Sequence, residues 1–223
     1  MKPSRSIISL NPNAGACCSS LACWLWPIDL WLATQFYYAA ANEPWPIGEL
    51  WLFEALYLLV PPATITTGIL TGLALFYHRQ LSWRWRRALL LLVLTLIVTP
   101  GFIVNSLLKE HWGHPRPVHV QEFGGQQGYQ PPLWPSWGQP GRSFPSGHVA
   151  AITSLLVVLF IWPRRMVGWS ISLLILMVAI GRMAAGGHFF SDTLWGGYLS
   201  YLTLWLLFHA SRKHSWRPLL SRP

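Results

Sequence analysis

Gly181-Arg182-Met183-Ala184-Ala185-Gly186-Gly187-His188-Phe189-Phe190-Ser191-Asp192 stands in the seam between two apolar runs, roughly residues 166–185 and 193–209. Runs of about that length are what a helix needs to cross a bilayer. A guanidinium, an imidazole and a carboxylate gathered between two such runs put ionisable groups at a membrane edge, where they are costly unless they have a task. The stretch reads as a turn between two membrane helices that carries a polar site. That reading sets the expected class: an all-α, polytopic membrane protein built as a helical bundle.

Two further polar clusters occupy the same kind of position. They are Lys109-Glu110-His111-Trp112-Gly113-His114-Pro115-Arg116-Pro117 and Ser143-Phe144-Pro145-Ser146-Gly147-His148. Working outward, four more apolar runs appear at roughly 21–40, 51–77, 88–107 and 148–162, which makes six expected spans. The fourth is short and is expected to gain a turn in Pro163-Arg164-Arg165. Pro61 and Pro62 are expected to kink the second span, and Gly68 and Gly72 to admit a close neighbour. Residues 42–50 are expected to lie along the interface. The division that follows is a cytoplasmic segment 1–20, a six-span domain 21–209 with an extracytoplasmic loop 118–143, and a basic tail 210–223.

Composition agrees with this class. The 223 residues are 52% hydrophobic and only 10% charged, a balance foreign to a soluble globule of this size. Many of the fifteen Trp fall near run ends, as in an interfacial aromatic belt. The net charge of +9 does not point to nucleic acid, because its cations are scattered between apolar runs. Cys17, Cys18 and Cys23 match no zinc spacing and have no partner further along, and no signal peptide or lipoprotein leader is expected.

The cations also set a topology. Lys2, Arg5, Arg79, Arg84, Arg86, Arg87, Arg164, Arg165, Arg212, Lys213, Arg217 and Arg222 all fall on one side of a six-span layout. The positive-inside rule makes that side the cytoplasm. The four left over are Lys109, Arg116, Arg142 and Arg182, and each belongs to a polar cluster or adjoins one.

Phosphoryl transfer asks a protein mainly for positioning and for charge around the phosphoryl oxygens. Lys109, Arg116 and Arg182 supply the charge, and the backbone N–H groups of Ser146 and Gly147 at a helix start are expected to add an anion site. Ser146 is also expected to cap that helix. His188 is the expected nucleophile, because Asp192 at i+4 fixes its tautomer if the segment is helical. His148 is the expected general acid. Against this, Lys109 alone reads as a snorkelling lysine, Asp192 as a helix cap and His148 as an interfacial residue. His111, His114 and His119 are expected near a head group, while His78, His209 and His214 fall on the cytoplasmic surface. Asp29 and Glu54 are expected to cap helices or face the interface. No metal-ligand spacing is present, so no metal or other cofactor is expected.

Lys109 through Arg116-Pro117, Pro145-Ser146-Gly147-His148, and Arg182 through His188 and Asp192 together resemble the signature of the type 2 phosphatidic acid phosphatase superfamily. One departure is Gly181, where the family usually has Ser, and Gly181→Ser is expected to be tolerated. The resemblance implies a metal-independent lipid phosphatase with a haloperoxidase-like helical core and a phosphohistidine on His188. It further implies His148 as proton donor, Lys109, Arg116, Ser146, Gly147 and Arg182 as phosphate ligands, and vanadate as a phosphate mimic. It places the site on the periplasmic face of the inner membrane, with a lipid phosphate as partner.

The loop 118–143 is expected to cover the pocket, and Arg142 to meet a second phosphate or a sugar. Trp112 through Pro117 with Glu122-Phe123-Gly124-Gly125 is similar to a bacterial branch that includes lipid A phosphatases. Undecaprenyl diphosphate and phosphatidylglycerol phosphate compete as substrates. Transfer of the phosphoryl group to a lipid hydroxyl is the second reading, and a non-enzymatic transporter component the third. Oligomeric state is not legible.

Overall fold

A computed structural model describes residues 21–77, 81–131, 133–136 and 139–213. The expected terminal segment 1–20, Cys17, Cys18, His78, Arg79 and His214 lie outside them, as do Arg217, Arg222 and most of the tail. The described residues are mainly helical: α1 (Leu21–Thr34), α2 (Trp51–Tyr77), α3 (Trp83–His111), α4 (Gly147–Phe160), α5 (Arg165–Ala184) and α6 (Phe190–Lys213). Among them α2, α3 and α5 are long and apolar enough to cross a membrane.

α2 is the most outward-facing of the three. Trp51, Leu59, Ile65, Leu70 and Phe76 all stand exposed along it. Apolar side chains in such numbers do not belong in water and suit lipid contact. The helix runs on through Pro61 and Pro62. Proline has no N–H, so Pro61 leaves the carbonyl of Tyr57 without its i+4 donor. That orphan acceptor recurs at the site.

α3 departs from a plain helix. From Ile97 to Leu108 it widens into a π-helix that contains Pro100. Side chains take up the loosened carbonyls at the same five-residue spacing: Asn105 Nδ2 donates to Pro100 O at 2.6 Å and Ser106 Oγ to Gly101 O at 3.1 Å. Such wide turns inside helices often mark functional positions.

α4 corrects an expectation. It does not extend into Pro163-Arg164-Arg165 but ends at Phe160, after changing from α to 3₁₀ geometry at Ser154. The steeper rise of the 3₁₀ turns stretches these residues to about 25 Å, still short of the ~30 Å of a bilayer core. α4 is instead the central element, packed against α2, α3, α5 and α6. Val149, Ala150, Ala151 and Val157 are buried along it, Val149 and Ala151 against Val60 and Val178, Val157 against Leu91 and Leu204.

The loop 118–143 is more than a cover. Val120 and Phe123 are buried with Ala33 of α1 and Phe189, and Tyr37, Trp45 and Phe123 pack ring to ring. Residues 46–49 form a 3₁₀ turn that leads into α2.

Candidate active site

The three sequence clusters meet where α3 ends, α4 begins and the turn 185–189 joins α5 to α6. Ser146 N–H donates to Asp192 O at 2.9 Å, and Ser143 N–H to His114 O at 3.0 Å, so backbone bonds tie each cluster to the next.

Asp192 is the hub. The turn at His188 is not helical; α6 starts at Phe190 and its first turn carries Asp192 back over the turn. Asp192 Oδ2 accepts Phe189 N–H at 2.8 Å, the reach-back of a capping residue in a helix first turn. The same oxygen accepts Ser143 Oγ–H at 2.5 Å and lies 3.6 Å from His188 Nδ1. Ser143 Oγ is 3.4 Å from His188 Nδ1. The capping role and the histidine-orienting role expected of Asp192 therefore coincide in one carboxylate. With Nδ1 facing these oxygens, Nε2 is the ring nitrogen that keeps a free lone pair. Burial pushes the His188 imidazole down to about 4 against the pull of Asp192, so it is neutral at ordinary pH, as a nucleophile must be.

Behind Asp192 lies a second buried carboxylate. Asp29 accepts Ser191 N–H at 2.8 Å and Ser191 Oγ–H at 2.5 Å, with Tyr129 Oη at 3.4 Å. It does cap a helix, though the helix is α6 and not its own, and it is fully buried rather than interfacial. Glu54 stands exposed in the first turn of α2.

The cationic side is arranged differently. Arg182 is buried, its guanidinium 4.5 Å above the Tyr57 ring, and its Nε has no hydrogen-bond partner. A Cβ at Gly187 would strike that guanidinium, so any other residue there would push Arg182 from its present position. His148 also stacks on Tyr57, the ring centroids 5.2 Å apart. His148 Nε2–H donates at 3.2 Å to Tyr57 O, the carbonyl that Pro61 leaves free. Lys109 Nζ and Asn105 Oδ1 come within 3.3 and 3.2 Å of where a Cβ on Gly147 would stand. The charges of Lys109, Arg116 and Arg182 act on one another at this range. Among the described residues none of the three forms an ion pair with a carboxylate.

Several expectations need correction. Ser146 makes no side-chain cap, its Oγ has no partner, and its N–H is taken by Asp192 O, which leaves Gly147 N–H as the donor of that pair. Arg142 is exposed and paired with Glu110. His111 Nδ1 bonds its own helix at Leu107 O, 2.8 Å away, and His114 is fully buried against Asp192. Gly181 does not face the cations; a Cβ there would lie 2.7 Å from the Phe53 ring. Tyr57, Ser143, Asn105 and Asp29 belong to the site or its support and were not assigned there from sequence. Ser143 alone had a signal, as the polar residue that opens the second cluster. No group of three or more His, Cys, Asp or Glu among the described residues is placed to hold a metal.

The chain is similar to several known proteins. A lipid A 4'-phosphatase of Francisella tularensis subsp. novicida (strain U112) is 31% identical over 131 residues, 56% of this chain and 59% of its own length. Another, from Rhizobium leguminosarum, is 30% identical over 118 residues, 49% of this chain and 48% of its own length. The chain thus spans only about half the length of these relatives. The crystal structure of a transmembrane PAP2 type phosphatidylglycerolphosphate phosphatase from Bacillus subtilis aligns over 86% of this chain and 96% of its own, at 20% identity and a TM-score of 0.43. The sequence pattern of the PAP2 superfamily matches residues 87–216, which contain all three polar clusters, and the chain belongs to that superfamily.

Proposed function

We propose that this protein is a membrane phosphatase that hydrolyses a lipid phosphate through a phosphohistidine on His188. The observation that carries the reading is the set of three mutually repelling cations, without carboxylate partners, beside a buried neutral imidazole. Like charges crowded in low dielectric are unfavourable until an anion joins them, and a phosphoryl group supplies that anion.

In the first step His188 Nε2 attacks phosphorus and the bond from phosphorus to the lipid oxygen breaks. The leaving oxygen takes a proton from His148, which enters the step as an imidazolium. Burial and Arg182 push His148 down to about 4, and the phosphate anion beside it offsets that push. With Nε2 held by Tyr57 O, Nδ1 is the nitrogen that delivers it. Lys109, Arg116, Arg182 and Gly147 N–H hold the phosphoryl oxygens. In the second step His148 takes a proton from water, whose oxygen attacks phosphorus. Orthophosphate leaves and His188 returns to its neutral form. No metal enters either step.

The names of the relatives support a lipid A-type phosphomonoester ahead of undecaprenyl diphosphate or phosphatidylglycerol phosphate as substrate. The basic residues favour six spans in an inner membrane with the site on the periplasmic face. The test is phosphate release by purified protein in detergent from each of these lipids, with EDTA present and with or without vanadate. The expected result is release that EDTA leaves intact and vanadate blocks. Absence of release from any lipid, by protein shown to be folded, overturns the reading.

A further inference from the structure

His114 is fully buried, and each of its ring nitrogens faces an oxygen. Nε2 lies 2.8 Å from Gln130 O, and Nδ1 lies 3.3 Å from Asp192 Oδ1, a charge contact in which neither atom is aligned for a hydrogen bond or has another partner. Neither oxygen has a proton to give: one is a backbone carbonyl, the other an ionised carboxylate. A neutral imidazole carries one N–H and one lone pair, so one of its nitrogens would meet an oxygen lone pair to lone pair. Turning the ring over would present C–H groups to both. Only the imidazolium, with a proton on each nitrogen, suits both neighbours. Phe144 and Phe189 pack edge-on against the ring at 6.2 and 5.7 Å and fix its plane.

Asp192 is held from two sides as a result. Oδ2 is occupied by Ser143 and Phe189 N–H, and Oδ1 is unsatisfied apart from the approach of His114. The charge of a His114 imidazolium beside Oδ1 opposes rotation of the carboxylate away from Ser143 and Phe189 N–H.

We propose that His114 is a positioning residue of the reaction: clamped as an imidazolium between Gln130 O and Asp192 Oδ1, it orients Asp192 so that Ser143 and Oδ2 hold the His188 Nδ1–H. The proposal rests on the reading of His188 as nucleophile. His114 touches no reacting atom; it acts through Asp192. The ionisable groups around it are Asp192 from α6, Asp29 from α1, His188 from the turn and Tyr129 from the loop. Burial alone lowers the proton affinity of His114, but Asp192, then Gln130 O and Asp29, raise it further, and the net shift is upward. Because Gln130 lies in the loop 118–143, the clamp also ties that loop to the nucleophile.

Two substitutions separate the two contacts. His114→Asn puts an amide N–H where Nδ1–H stands and is too short to reach Gln130. His114→Gln reaches Gln130 and leaves Oδ1 bare. We would measure kcat and KM for phosphate release from lipid A micelles, with thermal melting as the fold control. The expected result is a kcat loss of about 100-fold for His114→Gln at little change in KM, and a loss of about tenfold or less for His114→Asn. Equal losses, or the reverse order, overturn the proposal and leave His114 as a loop anchor. If neither variant folds, 15N spectra of histidine-labelled wild-type protein decide it. One slowly exchanging imidazole protonated on both nitrogens at neutral pH supports the clamp, and its absence overturns it. Wild-type protein that releases no phosphate would sink the functional reading, while the 15N spectrum still judges the clamp separately.

Discussion

Asp192 and Arg182 are both buried, on the two helices that flank one turn, yet the structure treats their charges in opposite ways. The carboxylate has Ser143, Phe189 N–H, His114 and His188 around it, drawn from the segment after α3, the loop 118–143 and the turn. The guanidinium has an aromatic ring beneath it and an unpartnered Nε. One half of the site is finished before anything binds, and the other waits. A buried donor without a partner costs about 1–3 kcal/mol, so the waiting half lowers stability in exchange for affinity toward an anion. Under the proposed mechanism the finished half holds the nucleophile and the waiting half receives the phosphate.

The harshest way to probe this contrast is to remove the nucleophile that the finished half serves. His188→Ala is expected to cut phosphate release by about 10⁴-fold or more while the protein still folds. Substantial hydrolysis by a folded His188→Ala protein would end the phosphohistidine reading. A narrower cut compares the two charges directly. Asp192→Asn leaves His114 and Ser143 poorly matched and should destabilise by about 3–5 kcal/mol as well as slow turnover. Arg182→Met removes a charge that has no protein partner. It should abolish turnover yet leave melting unchanged or raise it. Melting curves of the two variants without any anion test the comparison, and parallel destabilisation of both would refute it.

A smaller effect is expected at the orienting carbonyl of Tyr57. Pro61→Ala restores an N–H four residues along α2, which then competes with His148 for Tyr57 O. Because an alanine is a good helix residue, stability should hold or improve. Turnover should fall about tenfold with KM unchanged, since His148 loses the contact that fixes its ring. A wild-type kcat for Pro61→Ala would mean that the carbonyl is incidental to His148.

The cationic half was the more legible in sequence, for a physical reason. Lys109, Arg116 and Arg182 stand out because unneutralised charge is rare at the outer edge of apolar runs, and the three clusters could be paired without any coordinates. Support for the other half comes from residues whose types carry no such signal. Tyr57 is one aromatic in an apolar helix. Asp29 lies 162 residues from the Ser191 it caps, and only the packing of α1 on α6 joins them. His114 reads from sequence as a residue near a head group, because polarity alone cannot tell a group facing a ligand from one facing a buried carboxylate. The α-helical class and the approximate limits of α2, α3, α5 and α6 were legible from apolar run length. The π-helical stretch of α3 and the 3₁₀ turns of α4 were not, since hydropathy counts residues and is blind to rise per residue.

Gly181 offers the mildest test, and it separates chemistry from packing. From sequence alone, a serine at this position reads as a harmless gain of a hydroxyl beside the phosphate. The structure instead puts the Phe53 ring of α2 2.7 Å from the Cβ that a serine would bring. That Cβ has no room unless Phe53 moves. Overpacking of this kind costs about 1–3 kcal/mol, so Gly181→Ser alone should lower the melting temperature by several degrees and reduce activity only modestly. Adding Phe53→Ala supplies the space. If packing is the whole effect, the double variant should melt higher than the sum of the two single losses allows, which a double-mutant cycle measures. Strict additivity would show that Phe53 is not what excludes a side chain at 181. A gain in turnover on restoring the hydroxyl would place position 181 on the cationic side of the site after all.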